Sequence, residues 1–136
     1  MSNQPAPSRA YSITGGPDAA ATARNAVLGG LGSGVPQRAA EDIMLVVSEL
    51  VTNAVRHAGA DAAQTISLRV ARSPGAVRIE VVDERPALEP RRLLGEERPA
   101  SGGLGLVVVD ALCDWGTDQR DRHKTVWAEY HLEAAS

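Results

Sequence analysis

A glutamate and an asparagine four residues apart could act on one ligand. Glu49 and Asn53 fall in a stretch of helical periodicity, so we expect them on the same side of a helix, one turn apart. They occupy the shoulder of an apolar stripe, where a partly buried carboxylate is costly unless a ligand uses it. The two side chains offer the hard oxygen ligands that Mg²⁺ prefers, and the carboxylate could also accept a proton. Taken alone, such a pair is more commonly two ordinary polar residues beside a core.

A glycine-rich turn, Gly102-Gly103-Leu104-Gly105, precedes a short apolar helix predicted over residues 106–112. Glycines let the backbone approach a ligand closely, and the first N–H groups of a helix carry partial positive charge. The turn could therefore hold phosphates, although a flexible turn is the commoner reading of such glycines. It is not a P-loop, because no Gly-Lys-Ser/Thr follows. It is not a dinucleotide-binding fingerprint either, because a long loop precedes it.

Three further residues have reactive side chains. Asp83 ends a predicted strand, where its carboxylate could accept a hydrogen bond from an exocyclic amine and so select adenine. An aspartate that ends a strand in a turn is the common alternative. His57 has no partner at metal-ligand spacing, so we expect it to cap or pack near a helix end. Cys113 is expected to be a buried small apolar residue and not a nucleophile.

Hydrophobic periodicity predicts two helices in the first half of the chain. A loose tail over residues 1–8 and a short edge strand over 9–13 come first. An Ala-rich helix then runs over 18–31, with Val27, Leu28 and Leu31 facing inward. The longest helix runs over 36–58, with Gly59 as its stop, and carries a buried stripe at steps of three and four residues. The stripe consists of Ile43, Val46, Val47, Leu50, Val51 and Ala54.

Strands dominate the second half. Residues 65–70 alternate strictly and 73–75 form a turn, after which Val77, Ile79 and Val81 mark the inward side of a second strand, so the two strands form a hairpin. The polar segment 84–101 is expected to be functional or mobile, because long structureless loops are uncommon in compact domains. Closing strands are predicted over 115–119 and 125–132, around the charged turn 120–124.

Composition fits a single domain over residues 9–133. The chain has 136 residues, 43% of them hydrophobic, and a formal net charge of −3, which gives no general attraction to nucleic acid or to anionic membranes. One cysteine permits no internal disulfide framework, and no export signal or membrane-spanning run is evident. These features predict a cytoplasmic protein that binds neither nucleic acid nor membrane directly.

Residues 49–58, Glu-Leu-Val-Thr-Asn-Ala-Val-Arg-His-Ala, resemble the N-box of the GHKL (Bergerat-fold) ATPase superfamily. The likeness is greatest to bacterial anti-sigma factor serine/threonine kinases and their actinobacterial relatives. In that branch a strand-terminal Asp, a variable lid and a Gly-rich box follow in the order found here. The closing residues 124–129 also resemble the last strand of the actinobacterial proteins. The resemblance spans residues 17–132.

The resemblance implies a role for each matching residue. Asn53 would hold Mg²⁺, Glu49 would act as general base, and Asp83 would read the adenine amino group of ATP. Thr125, on a strand neighbouring the adenine pocket, would support Asp83 through water. The backbone N–H groups for the phosphates would come from Gly103, Leu104, Gly105 and Leu106.

The implied fold is an α/β (α+β) two-layer sandwich, with a mixed, mostly antiparallel sheet covered on one face by helices and residues 84–101 as the ATP lid. Two departures from the superfamily pattern stand out. Glu84-Arg85-Pro86 replaces the frequent Gly-x-Gly, as in many actinobacterial relatives, which implies a different lid hinge. The glycine that usually precedes Lys-Thr-Val-Trp is also missing, in a turn that touches no predicted ligand.

The leading functional interpretation is a regulatory serine/threonine protein kinase that phosphorylates an anti-sigma antagonist-like protein and sequesters a sigma factor or similar regulator. An alternative is a catalytically silent ATP-sensing module, in which ATP orders the lid for a protein partner; the Pro-rich lid without glycine hinges favours this version. A detached histidine kinase catalytic domain is disfavoured, because no dimerisation helix with a phosphoacceptor histidine is seen. Relatives often pair through the first strand and helix edge, so a homodimer is possible.

Overall fold

Within the described residues of the computed structural model (8–31, 34–57, 65–83, 103–120 and 123–132), the chain forms five strands and three helices. In chain order these are β1 (Ser8–Thr14), α1 (Ala19–Gly30), α2 (Gln37–His57), β2 (Thr65–Ser73), β3 (Ala76–Asp83), α3 (Gly103–Leu112), β4 (Asp114–Arg120) and β5 (His123–His131). Ser8 already belongs to β1, so the predicted tail is one residue too long. Residues 1–7, Gly59 and the predicted lid lie outside the described residues.

The strands form one sheet in the order β1-β2-β3-β5-β4. β3 and β4 both run antiparallel to β5, which lies between them, so β3 and β4 are parallel to each other without pairing. All pairings in the described sheet are therefore antiparallel. Helices pack on one face of this sheet, which confirms the predicted two-layer α+β fold.

The β2–β3 hairpin gives the sheet its central register. Ser73 pairs with Ala76 across the two-residue turn Pro74-Gly75, and the ladder continues to Ile66 opposite Asp83. The predicted hairpin is confirmed, although β2 continues three residues beyond its predicted end. Asp83 consequently lies at the far end of β3 from the turn, as predicted.

Helix α2 covers the sheet through its apolar stripe. All six predicted stripe residues are buried, with at most 8% of their surface exposed. Steps of three and four residues keep these side chains on one side of the helix, so burying them fixes how α2 is rotated about its own axis. No helix among the described residues combines the length and apolar character that crossing a bilayer requires.

Helix α1 buries a narrower face than predicted. Val27 and Leu31 are buried, together with Ala19 and Ala23, but Leu28 is 55% exposed. The prediction for Leu28 was wrong because the buried residues repeat every four positions, and the next position along a helix turns about 100° away from that line. The buried face of α1 is narrow because two of its residues, Ala19 and Ala23, have small side chains.

The sheet face opposite the helices carries polar and charged residues. Arg78 contacts two carboxylates there, Glu80 at 2.9 Å and Glu129 at 3.4 Å, and its guanidinium stacks over the Trp127 ring at 4.5 Å from the centroid. The indole lies across Gly116, where a β-carbon would come within 2.8 Å of the ring. This face is compatible with solvent, so the apolar core lies entirely between the sheet and the helices.

A hydrogen bond fastens the beginning of α2 to the end of β5. The Tyr130 hydroxyl donates to Asp42 Oδ2 at 2.6 Å. Burial, this hydrogen bond and the charge of Asp42 raise the pKa of Tyr130 to about 12. Nearby, burial and the charges of Asp114 and Asp42 raise the pKa of Cys113 to about 11. Cys113 is buried, as predicted, and its thiol is protonated at neutral pH.

The Tyr130→Phe variant is expected to lose about 1 kcal/mol of unfolding free energy at neutral pH, because Asp42 loses its donor. The native pKa of Tyr130 lies above its unfolded value, so the stabilisation is complete below pH 10 and is lost as pH rises toward 12. The difference in unfolding free energy between the two proteins should therefore narrow between pH 10 and pH 12. Urea unfolding across this range measures it.

The Asp42→Asn variant is the matched control, since it keeps an acceptor for the hydroxyl but removes the negative charge. It should weaken the alkaline loss of stability while retaining part of the hydrogen bond. A gap between wild type and Tyr130→Phe that stays constant from neutral to alkaline pH would contradict this account.

Candidate functional site

Helix α2 presents Glu49 and Asn53 beside the core. Both side chains are partly buried, and the residues that follow them, Leu50 and Ala54, belong to the buried stripe. The preceding residue, Ser48, accepts a hydrogen bond from Arg24 Nη1 of α1 at 2.9 Å, which ties the two helices together at this level. Glu49 and Asn53 therefore project from a well-supported part of the helix, at the shoulder position that the sequence predicts.

The glycine box forms the first turn of α3. The helix begins at Gly103, whereas the sequence predicted its start at residue 106. Glycine disfavours helix by about 1 kcal/mol per residue, but burial of apolar side chains further along, such as the fully buried Val109, outweighs that penalty. The backbone N–H groups of Gly103, Leu104 and Gly105 lack acceptors within an α-helix and point out of its positive end.

The beginning of α2 and the beginning of β3 lie at the same end of the domain. Tyr130 bonds to Asp42 of α2 and pairs with Val77 near the start of β3. The buried stripe keeps α2 on the sheet along its length, so its C-terminal half extends toward the end of β3. From these anchors, Asn53 lies about 16 Å along the helix and Asp83 about 20 Å along the strand. Both therefore reach the opposite end of the domain.

Helix α3 brings its first turn to the same end. Cys113, directly after α3, lies close enough to Asp42 for the carboxylate to raise the thiol pKa. Helices α2 and α3 pack together. Only five residues of α2 precede Asp42, so the ten-residue α3 cannot lie along that part of α2 alone. Helix α3 therefore runs along the C-terminal half of α2, and its first turn lies near the level of Glu49 and Asn53.

The ends of β3 and β5 complete this end of the sheet. Val81 and Val126 are opposite each other and both buried on the helix side, so alternation places the next pair, Val82 and Thr125, on the open face. Thr125 is partly buried on the strand next to Asp83, as predicted. Its support of Asp83 through water stays a prediction.

The residue opposite Asp83 is Lys124. Its alternation position is the helix side, shared with Val126, and it is partly buried. Sequence reasoning did not place Lys124 opposite Asp83, because strand pairing cannot be read from one strand alone. The sequence did set Lys124 apart in one respect, since it is the single lysine in a chain with thirteen arginines.

These residues fit Mg²⁺-bound ATP in their donor chemistry. Mg²⁺ usually takes one or two protein oxygens together with phosphate oxygens, and Asn53 and Glu49 offer such oxygens. The free N–H groups at the start of α3 suit phosphates. In the described part of the chain, no group of three or more His, Cys, Asp or Glu side chains is arranged to hold a metal ion.

Comparison with known families is decisive for the fold. The family profile described as a histidine kinase-like ATPase domain matches residues 14–129. The chain belongs to this family. The match covers every described element except most of β1 and the end of β5, and it supports the GHKL superfamily suggested by the N-box. A search of curated proteins found no match.

As a histidine kinase-like ATPase domain, the chain has an ATP-binding, kinase-like fold. The matched residues include the three segments that meet at one end of the domain, namely the C-terminal half of α2, the end of β3 and the first turn of α3. The connection between the last two, residues 84–102, lies outside the described residues.

Proposed function

We propose that this domain binds Mg²⁺–ATP at the end of the sheet where α2, β3 and α3 meet, and transfers the γ-phosphate to a protein serine or threonine. Its substrate would be an anti-sigma antagonist-like protein, and it would sequester a sigma factor or similar regulator in the cytoplasm. The observation that carries the proposal is the convergence of Glu49, Asn53, Asp83 and the α3 N-terminus in a histidine kinase-like ATPase domain.

Each residue has a distinct role in the proposed reaction. Asp83 accepts a hydrogen bond from the adenine amino group, with Thr125 on the neighbouring strand, and the first-turn N–H groups of α3 bind phosphate oxygens. Asn53 would ligate Mg²⁺, which neutralises phosphate charge and aligns the terminal phosphate.

Glu49 deprotonates the attacking hydroxyl. The hydroxyl oxygen of the protein substrate forms a bond to the γ-phosphorus, while the bond from that phosphorus to the bridging oxygen breaks. The proton moves to the Glu49 carboxylate, and ADP leaves with the electron pair on its terminal oxygen. Glu49 lies one helical turn from Asn53, so base and metal ligand approach the phosphate from one helix.

Replacing Asn53 by Ala tests the site. We expect the affinity for Mg²⁺–ATP to fall about 10- to 100-fold, because an oriented oxygen ligand of the metal is lost. Calorimetric titration with ATP, repeated without Mg²⁺, measures this loss. Without Mg²⁺ the two proteins should differ much less.

Asn25→Ala, an exposed position of α1, is the matched control and should bind as wild type does. If wild type failed to bind ATP at millimolar concentration, the proposed function would be abandoned. If Asn53→Ala bound Mg²⁺–ATP as tightly as wild type, the metal role of Asn53 would be wrong even though the site exists.

A further inference from the structure

Lys124 occupies a position that the proposed kinase mechanism leaves unused. It is the single lysine of the chain and the second residue of β5, and it pairs directly with Asp83 at the end of β3. The other thirteen of the chain's fourteen lysine and arginine residues are arginines. A compact ammonium group is thus used only opposite the aspartate that is expected to read the nucleotide base.

The register places both residues on the helix side of the sheet. Val81 and Val126 form the preceding pair on that side and are buried, and the next pair on the same side, two residues along each strand, is Asp83 with Lys124. Directly opposite residues of an antiparallel pair have β-carbons about 4.5–5.5 Å apart. A lysine at this separation can reach an aspartate carboxylate, and opposite charges on such a pair attract.

We propose that Lys124 is a positioning residue that orients the Asp83 carboxylate toward the base, and thereby sets the preference for adenine over guanine nucleotides. This inference rests on the proposed ATP site. The Lys124 ammonium and the base share one carboxylate, which has about four lone-pair sites and can accept from both at once.

The selectivity follows from hydrogen-bond chemistry. An ionised carboxylate only accepts hydrogen bonds, whereas a protonated carboxyl group can also donate one. Adenine presents an amino donor where guanine presents a carbonyl acceptor, so the ionised form binds adenine and repels guanine.

The choice of lysine also fits this role. A guanidinium presents a rigid planar fork that would occupy both carboxylate oxygens, while an ammonium acts as a point charge on a flexible stem. One bond from Lys124 therefore leaves an oxygen of Asp83 open to the base. Arginine at this position should keep the charge but make the carboxylate less available.

The test measures dissociation constants for ATP and GTP by calorimetry at fixed Mg²⁺ and salt. We expect Lys124→Met to lower the preference for ATP over GTP about tenfold, and Lys124→Arg to retain most of it. In an Asp83→Asn background, Lys124→Met should change the preference less than about twofold, because its effect passes through Asp83. Lys124→Gln replaces Lys124→Met if the latter fails to fold, as judged by thermal unfolding.

Three outcomes would overturn the inference. An unchanged ATP preference in Lys124→Met would show that Lys124 does not set selectivity. If Lys124→Met lost more affinity for ADP than for adenosine, and most for ATP, the Lys124 ammonium would contact the phosphates and not Asp83. Failure of wild type to bind either nucleotide would remove the proposed function and this inference with it, whereas the first two results leave ATP binding itself intact.

Discussion

Replacing Glu49 by Gln is expected to lower phosphoryl transfer about 10²- to 10⁴-fold while leaving Mg²⁺–ATP binding nearly unchanged. Glutamine keeps the size and the hydrogen-bonding oxygen of glutamate but cannot take a proton from the attacking hydroxyl. Binding survives because the proposed acceptor for the adenine amino group lies on β3 and the proposed phosphate donors lie on α3, so neither is the substituted side chain. The separation of binding from transfer is the signature of a general base.

The measurement combines ATP titration with transfer of labelled γ-phosphate to proteins of a bacterial extract, followed by identification of phosphoserine and phosphothreonine. Glu41→Gln, an exposed carboxylate on the same helix, is the matched control and should transfer phosphate as wild type does. Full transfer by Glu49→Gln would refute the base assignment. ATP binding without transfer, even by wild type, would instead favour the ATP-sensing module.

Much of the fold follows from local periodicity. The α2 stripe could be predicted because six apolar residues at helical spacing can be buried together in only one helix orientation. The hairpin could be predicted because a Pro-Gly turn separates two alternating segments, and both features are local. The same stripe also predicts the half-buried positions of Glu49 and Asn53, since each precedes a stripe residue.

Long-range relations could not be predicted in this way. The pairing of Lys124 with Asp83 depends on β5 lying between β3 and β4, and no residue of either partner encodes that order locally. The exposed Leu28 was mistaken for a core residue, because periodicity in an Ala-rich helix leaves two registers nearly equal. The start of α3 at Gly103 was missed, because tertiary packing outweighs the low helix propensity of glycine.

The second large effect is expected at Leu50, which lies directly after Glu49 and is 1% exposed. Leu50→Ala should lower the unfolding free energy by about 2–5 kcal/mol, through lost apolar burial and the cavity left beneath α2. That is a large fraction of the roughly 5–15 kcal/mol typical of a domain. Urea unfolding measures the change, and Leu45→Ala is the matched control. Leu45 is on the same helix but 42% exposed, so it should cost far less.

ATP then separates damage to the core from damage to the site. A ligand that binds only the folded state adds about 2.7 kcal/mol of stability at a hundredfold excess over its dissociation constant. If Leu50→Ala leaves Glu49 and Asn53 in place, saturating Mg²⁺–ATP should stabilise this variant as much as it stabilises wild type. A smaller increment would mean that the cavity lets α2 shift, so that the core side chain also positions the ligand groups beside it. An equal cost for Leu45→Ala and Leu50→Ala would contradict the burial of the stripe itself.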